Sequence, residues 1–222
     1  SKEIIDHAPL LPYFEKEFRE DALVRSVHYG THIEGNELNF TEAEKVLAGQ
    51  NIPARERDIQ EVINYRKVLE YIGHLKAEES SLKITEDLIK ELHQMTVNKL
   101  LPEAQCGVYR KTQVVVKNSL TGEVSFRPPM AVAVPFQIRE LLDFIDMAKE
   151  QDIHPVLESG VVHYEFVRIH PFLDGNGRVA RAFATLILFL EGYDIRRFFS
   201  LEEYFDKDAL KYYQALQSVE KA

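Results

Sequence analysis

Apolar residues recur at helical spacing through most of this 222-residue chain. The clearest stripe lies between residues 55 and 76 and is formed by Ile59, Val62, Ile63, Val68, Leu69 and Ile72. Because residues three and four positions apart lie on one face of a helix, this stripe predicts an amphipathic helix. The same period predicts helices over residues 13–29, 134–148 and 155–169. The pattern therefore predicts a mainly α protein.

Local signals indicate where several of these helices begin and end. The segment Thr41-Glu-Ala-Glu44 has the spacing of a capping box. Thr85 is predicted to cap a helix that runs to about Leu100 and is stopped by Pro102. Pro171 is predicted to close the helix that begins at residue 155. A further helix near the end of the chain is predicted to carry Tyr204, Tyr212 and Tyr213.

One segment breaks the helical pattern. Residues 112–117 are rich in β-branched side chains, residues 118–122 are typical of a turn, and residues 123–126 are extended in character before Pro128. We therefore predict one β-hairpin over about residues 112–127, packed on the helical body because an isolated hairpin is only marginally stable. The chain has no repeats and no convincing linker, which favours a single domain.

Composition and charge narrow the classes of function. The hydrophobic content of 45% is enough for a sizeable core, and the net charge of −9 argues against binding to nucleic acid or to an anionic membrane. Cys106 is the only cysteine, so neither an internal disulfide nor a cysteine-based zinc cluster can form. No apolar run reaches the about 20 residues that span a bilayer. We expect a cytoplasmic protein, and the abrupt ends at Ser1 and Ala222 suggest a fragment of a longer chain.

The segment His170–Arg181, HPFLDGNGRVAR, concentrates the candidate chemistry. The turn Gly175-Asn-Gly177 can point successive N–H groups into one concavity, and a helix that begins near Asn176 adds the positive end of its dipole. Arg178 and Arg181 lie three residues apart on the first turn of that helix, so both can face one anion. The turn alone is also typical of a structural loop before the apolar run at residues 182–190.

Two further residues of this segment extend the hypothesis. A carboxylate such as Asp174 beside a phosphate site is repelled unless a cation lies between them, and Mg²⁺ commonly bridges carboxylate and phosphate oxygens. His170 has a side chain that can accept a proton from an attacking hydroxyl near neutral pH. The segment therefore predicts a polyphosphate site with a magnesium ligand and a general base.

The same segment matches the Fic motif, HPFx[DE]GNGRxxR, at every specified position. Gly107-Val-Tyr-Arg110, the hairpin, Pro128-Pro129 and Val134-Pro135 come in the order of the Fic core. The chain therefore resembles the Fic (Fido) domain proteins over most of residues 30–215. This resemblance implies a Fic-type helical domain whose β-hairpin serves as a flap. It also implies transfer of AMP from ATP to a hydroxyl of a target protein, with release of pyrophosphate.

The resemblance implies a role for each matching residue. His170 is the implied general base, Asp174 is the implied Mg²⁺ ligand, and Phe172 is an inward-facing anchor of the loop. The implied ATP-binding residues are Gly175, Asn176, Gly177, Arg178, Arg181, Tyr204 and Tyr212. Kinase-like members carry Lys at the position of Gly177, so nucleotidyl transfer is favoured over phosphorylation. An extended segment of the target is implied to pair with the flap by β-augmentation, at Val124, Ser125 and Phe126.

A second motif, Thr31-His-Ile-Glu-Gly-Asn36, resembles the inhibitory motif [ST]xxxE[GN] of Fic proteins that silence themselves from their N-terminal side. Glu34 is implied to bind Arg181 and to remove it from the γ-phosphate. Residues 1–50 would then form an inhibitory region, and residues 51–222 the Fic core.

The chain departs from this motif at one position. Gly30 stands where the motif has Ser or Thr, so we expect inhibition to be leakier than usual. Without the resemblance, the segment is also typical of a helix end with Gly35 after the last turn.

Three other functions remain open at this stage. The same site could run as a hydrolase that removes AMP, with Glu34 orienting a water. It could transfer UMP or another nucleotide. It could also be a nucleotide-sensing module whose inhibited state is its normal one. A homodimer is left open as its assembly.

Overall fold

The described part of the protein is mainly helical, as predicted. The computed structural model describes residues 11–78, 82–117, 124–193 and 198–219. These residues include nine α-helices: α1 Pro12–His32, α2 Phe40–Leu47, α3 Glu56–Glu78, α4 Glu86–Thr96, α5 Val134–Glu150, α6 Pro155–Ile169, α7 Asn176–Leu190, α8 Leu201–Lys207 and α9 Ala209–Ser218. Short 3₁₀ turns cover Glu103–Gln105 and Ala131–Ala133. None of the helices in the described ranges is long and apolar enough to cross a membrane.

The capping box of α2 is present but lies two residues earlier than predicted. The side chain of Asn39 accepts from the N–H of Glu42 at 3.0 Å, and Glu42 Oε2 accepts from the N–H of Asn39 at 2.9 Å. The prediction that Thr41 and Glu44 form the box is therefore wrong. An Asn followed three residues later by a Glu satisfies the same donors, and it does so at the first point where the chain turns helical.

The N-terminal cap of α4 is confirmed, because Thr85 Oγ1 accepts from the N–H of Leu88 at 3.2 Å. The helix ends at Thr96 rather than near Leu100. Asn64 of α3 donates to the carbonyls of Thr96 and Asn98, at 3.1 and 2.7 Å. A side chain distant in sequence therefore satisfies the last carbonyl of α4 and a carbonyl two residues beyond it, so the helix does not need to continue to satisfy them.

α7 lies at the centre of the core and packs against α6, α3 and α4. Its fully buried apolar residues are Val179, Ala180, Ala182, Phe183 and Leu186. The helix that follows the candidate loop is thus surrounded by other helices, which fixes the position of its N-terminus. This arrangement follows from the apolar run at residues 182–190, although the burial begins one turn earlier.

The two strands are β1, Val116–Lys117, and β2, Val124–Phe126, and they pair antiparallel with Val116 opposite Phe126. The turn predicted at residues 118–122 lies outside the described residues. β1 is shorter than the predicted extended run that begins at Thr112. Before β1, side chains rather than a neighbouring strand bind the backbone carbonyls. Arg110 donates to the carbonyl of Thr112 at 3.2 Å, and Gln113 donates to the carbonyl of Pro128 at 2.8 Å.

Candidate active site

The loop between α6 and α7 has a left-handed residue at each end. His170 caps the C-terminus of α6 with φ 49°, and Gly175 precedes α7 with φ 77°. A Cβ at position 175 would lie 2.9 Å from Val97 Cγ1, so glycine is required by both conformation and space. The first N–H groups of α7 therefore point out of the loop at the positive end of the helix dipole.

Asn176 and Phe172 hold the loop in shape. Asn176 Oδ1 accepts from the N–H of Phe172, and Asn176 Nδ2 donates to the carbonyl of Phe172, both at 2.9 Å. The ring of Phe172 is fully buried and stacks on His93 with 3.7 Å between centroids. The side chain of Asn176 is thus used within the loop, which leaves its backbone N–H for a ligand. Phe172 is the inward-facing anchor that was predicted.

We expect Phe172→Ala to lower the free energy of unfolding by about 3–5 kcal/mol, because it removes a fully buried ring and leaves a cavity under the loop. Urea denaturation followed by circular dichroism measures the change. The neighbouring Leu173 is 43% exposed, so Leu173→Ala is the matched control and should cost less than about 1 kcal/mol. Equal losses for the two variants would contradict the anchoring role.

Arg110 connects the loop to the base of the two strands. Its Nε donates to the carbonyl of His170 at 2.8 Å and its Nη2 to the carbonyl of Pro129 at 2.6 Å. The N–H of Arg110 also donates to the carbonyl of Pro171 at 2.9 Å. The sequence alone predicted no role for Arg110, because these partners lie about 20 and 60 residues away.

His170 is partly exposed at the mouth of the loop. Burial lowers the pKa of its imidazole, and this effect outweighs the carbonyl of Val167 and the carboxylate of Glu34, which favour the charged form. The side chain is therefore neutral near pH 7. A neutral imidazole is the form that can accept a proton.

Asp174 is surrounded by cationic groups. Its Oδ2 accepts from Arg57 at 2.6 Å, and its Oδ1 accepts from Arg178 at 3.3 Å and from the N–H of Gly175. Burial alone would raise the pKa of this carboxyl, but Arg178 and Arg57 outweigh it and the pKa is lowered. Asp174 is thus a carboxylate at neutral pH.

Arg178 is buried at 2% exposure beside Asp174 and Glu61. Its Nη1 lies 3.3 Å from Glu61 Oε1, within ion-pair range but without hydrogen-bond geometry. Within the described ranges, Arg178 Nε and Arg181 Nε are also buried without a hydrogen-bond partner. Unpaired buried guanidinium donors are costly, so they indicate a site shaped for an anionic acceptor.

The predicted contact between Glu34 and Arg181 is confirmed. Arg181 Nη1 donates to Glu34 Oε1 at 2.8 Å and Nη2 donates to the carbonyl of Gly30 at 2.7 Å. Only 1% of the Arg181 side chain is exposed, against 31% of Glu34. Burial disfavours the charged form of Arg181. Glu34 and the hydroxyls of Tyr212 and Tyr65 outweigh burial and raise the pKa of the guanidinium.

The carboxylate of Glu34 also lies against Gly177 in the first turn of α7. A Cβ at Gly177 would overlap Glu34 Oε1 and lie 2.9 Å from Glu34 Cδ. A side chain at position 177 would therefore collide with the carboxylate that binds Arg181.

A charged cavity of about 190 Å³ adjoins this contact. It is lined by Glu34, Gly35, Arg55, Arg57, Asp58, Glu61, Asp174 and Arg178. In the described part of the chain, no group of three or more His, Cys, Asp and Glu side chains has the arrangement of a metal site. A single carboxylate can still hold Mg²⁺ when phosphate oxygens supply other ligands, which is a common arrangement for this ion.

The remaining predicted site residues lie in different surroundings. Tyr204 is 71% exposed and makes an edge contact with Phe205. These surroundings do not indicate that Tyr204 lines the site. The hydroxyl of Tyr212 lies 3.0 Å from His163 Nε2 and close enough to Arg181 to affect its pKa. Val124 is 42% exposed on β2, which also contains Ser125 and Phe126.

Three polar residues of this region were missed by sequence analysis. Arg57 binds Asp174, Glu61 faces Arg178, and Asn36 Nδ2 donates to Glu61 Oε2 at 3.0 Å. Arg57 and Glu61 are four residues apart on α3, a spacing typical of a solvated surface pair. Only the packing of α3 against the loop shows that both face the site.

Comparison with known proteins identifies the domain. The Fic/DOC family model matches residues 83–188. The chain is 30% identical over 169 residues to the protein adenylyltransferase fic-1 of Caenorhabditis elegans, a match that covers 75% of this chain and 32% of that protein. The chain thus spans about a third of the length of that curated relative.

Two solved structures are similar along nearly the whole chain. A Fic domain containing signaling protein from Bacteroides thetaiotaomicron is 26% identical with a TM-score of 0.80, and the match covers 95% of this chain and 76% of that one. A Fic family protein from Desulfovibrio desulfuricans is 28% identical with a TM-score of 0.77, and the match covers 96% and 60%. The chain therefore carries a domain of the Fic/DOC family.

Proposed function

We propose that this chain is a protein adenylyltransferase that transfers AMP from ATP to a hydroxyl of a target protein and is inhibited by its own Glu34. The observation that carries the proposal is the carboxylate of Glu34, bound to Arg181 against the first turn of α7 and close to a neutral histidine. A carboxylate in that position mimics a phosphate oxygen. The similarity to the Caenorhabditis elegans protein adenylyltransferase supports the same activity.

In the proposed reaction, the hydroxyl oxygen of the target attacks the α-phosphorus of ATP. His170 accepts the proton of that hydroxyl as the new P–O bond forms. The bond between the α-phosphorus and the bridging oxygen breaks, and pyrophosphate leaves with the electron pair. The N–H groups of Asn176 and Gly177 stabilise charge on the phosphates, and the N–H of Gly175 joins them once it leaves Asp174 Oδ1. Arg178 and Arg181 bind the outer phosphates.

Glu34 and the γ-phosphate compete for Arg181 in this proposal. When Glu34 holds the guanidinium, ATP lacks that contact and binds in a pose that does not react. A buried arginine without an anion is costly, so one of the two partners is always favoured. The enzyme is active in the fraction of molecules in which the γ-phosphate has replaced Glu34.

Asp174 is the proposed ligand of Mg²⁺. The fit rests on its depressed pKa, which keeps it ionised, and on its position beside unpaired guanidinium donors that phosphates would satisfy. Bound Mg²⁺ would neutralise charge on the α- and β-phosphates. Arg57 binds Asp174 from the other side, so it competes with the metal for the same carboxylate.

We expect Arg57→Gln to lower the Mg²⁺ concentration for half-maximal ATP binding by about two- to fivefold, because a partly exposed ion pair contributes up to ~1 kcal/mol. Isothermal titration calorimetry with ATP at increasing Mg²⁺ measures this shift. Arg55→Gln is the matched control, since Arg55 lines the same cavity but pairs with Asp58 and Glu37. A shift of equal size in both variants would mean that only the net charge matters.

The paired strands β1 and β2 are the proposed flap for the target. β2 pairs with β1 along one edge, and among the described residues its other edge carries no strand. An extended target segment can therefore add there through its backbone, at Val124, Ser125 and Phe126. The backbone pairing, rather than the amino-acid sequence of the target, would then position the target hydroxyl near His170.

The proposal is tested by incubating the Glu34→Gly variant with labelled ATP and Mg²⁺ and measuring AMP adducts on the protein itself or on proteins of a lysate. UTP and CTP are supplied in parallel. Transfer of AMP in preference to the other nucleotides supports the proposal. Preference for UTP or CTP would identify a different nucleotidyltransferase, and absence of any adduct with bound ATP would contradict the activity.

A further inference from the structure

Gly30 of α1 lies four residues before Glu34 and is buried against α3 and α8. Its φ is not positive, so the backbone conformation does not require glycine. Space does: a Cβ at this position would overlap Tyr65 Cε1 and lie 3.1 Å from Glu202 Cγ. The absence of a side chain lets the ring of Tyr65 pack directly on the backbone of α1.

Tyr65 and Glu202 are joined in this buried region. The hydroxyl of Tyr65, which is fully buried, donates to Glu202 Oε1 at 3.0 Å. Glu202 is 2% exposed, and its other oxygen accepts from Ser200 Oγ at 3.3 Å. Because buried polar groups are retained only with partners, the ring and the carboxylate hold each other in place.

Arg181 connects this group to inhibition. Its guanidinium donates to the carbonyl of Gly30 and to the carboxylate of Glu34, at 2.7 and 2.8 Å. Both acceptors belong to the same short stretch of chain, so one displacement of α1 changes both contacts. The packing of Gly30 on Tyr65 and the binding of Glu34 to Arg181 therefore involve the same end of α1.

We propose that Gly30, Tyr65 and Glu202 form a positioning cluster that holds the end of α1 so that Glu34 binds Arg181. This inference rests on the proposed function, because it concerns the inhibition of that same site. Related inhibitory motifs have a hydroxyl residue where this chain has Gly30. In this chain, the ring of Tyr65 packs directly on the backbone of α1 and takes over the positioning role of that hydroxyl residue.

The deciding variant is Gly30→Ser, which restores the hydroxyl but introduces the overlapping Cβ. If packing positions α1, this variant weakens inhibition and raises AMP transfer about five- to tenfold, within the usual range of coupling between sites. If a missing hydroxyl were the important feature, the same variant would tighten inhibition and lower transfer. Gly160→Ser is the matched control, since Gly160 lies on the exposed side of α6 with no atom within 4 Å of its added Cβ.

A second readout does not depend on catalysis. Release of Arg181 to the γ-phosphate should raise the ratio of the ADP to the ATP dissociation constant in Gly30→Ser, and Glu34→Gly should raise it likewise. In the Glu34→Gly background, Gly30→Ser should raise neither this ratio nor transfer further, because the carboxylate that competes with the γ-phosphate is gone and only the Gly30 carbonyl still accepts from Arg181. A loss of transfer in that background would indicate a merely structural role and overturn the inference.

Failure of the inference and of the proposed function can be told apart. No transfer by Glu34→Gly would contradict the function, whereas an unchanged dissociation-constant ratio in folded Gly30→Ser would contradict the positioning cluster. If Gly30→Ser does not fold by circular dichroism, Glu202→Ala decides, since it removes the carboxylate that accepts from Tyr65 and the side chain that lies beside Gly30. That variant should raise the ratio about two- to fivefold, and an unchanged ratio would overturn the inference.

Discussion

Replacing His170 with alanine in the Glu34→Gly background is expected to reduce AMP transfer by about 10²–10⁴-fold, the usual contribution of a general base. The imidazole is held at the mouth of the loop by the left-handed C-cap of α6, and burial keeps its pKa low enough for it to be neutral at pH 7. Without it, the attacking hydroxyl has no partner for its proton. Single-turnover transfer of labelled AMP measures the effect.

ATP binding should survive the His170→Ala substitution, because the side chain donates to none of the phosphate-binding groups. Calorimetry should therefore give an ATP dissociation constant within about threefold of that of the parent, a difference under ~1 kcal/mol. His74→Ala is the matched control, since His74 is an exposed histidine on α3. Transfer within tenfold of the parent would show that another group accepts the proton.

Replacing Glu34 with glycine is expected to raise AMP transfer by about 5- to 150-fold, the range that a coupling of 1–3 kcal/mol between two sites allows. Glu34 Oε1 occupies Arg181 Nη1 at 2.8 Å, and its carboxylate covers Gly177 at the start of α7. Its removal frees the guanidinium and the space beside Gly177 together. Since the change is that large, initial rates of adduct formation with wild type and variant at one ATP concentration are enough to measure it.

Glu37→Gly is the matched control for this variant. Glu37 lies three residues further along the chain, is 73% exposed and pairs with Arg55, so its loss should leave transfer unchanged. A Glu34→Gly variant that binds ATP but transfers no faster than wild type would contradict inhibition by Glu34. A further experiment supplies an AMP-modified protein as substrate. If wild type removes the AMP and Glu34→Gly does not, a hydrolase is favoured instead.

The success of sequence reasoning differs between the loop and the residues around it. Phe172, Gly175 and the contact of Glu34 with Arg181 were predicted, because each belongs to a motif whose residue types have few alternatives at those positions. The capping box of α2 was misplaced by two residues, since Asn39 and Thr41 are both good caps and their local energies are similar. The end of α4 was misplaced because Asn64 binds its last carbonyl.

The sequence by itself determined the helical class and the glycine turn that precedes α7. These depend on local properties: the period of the apolar residues, the conformational freedom of Gly175, and the dipole of a helix that begins beside it. Such properties act within a few residues, so they can be read along the chain.

Only the tertiary structure decided which charges meet at that turn. Arg57, Glu61 and Arg110 look like ordinary polar residues in the sequence, yet packing of distant elements brings them to Asp174, Arg178 and His170. The role of Gly30 likewise depends on Tyr65 and Glu202, which lie 35 and 172 residues further on. Burial makes the contacts of Glu61 with Arg178 and of Tyr65 with Glu202 strong, because a charge removed from water must find its partner within the protein. These partners are distant in the sequence, so only the packing of the helices brings them together.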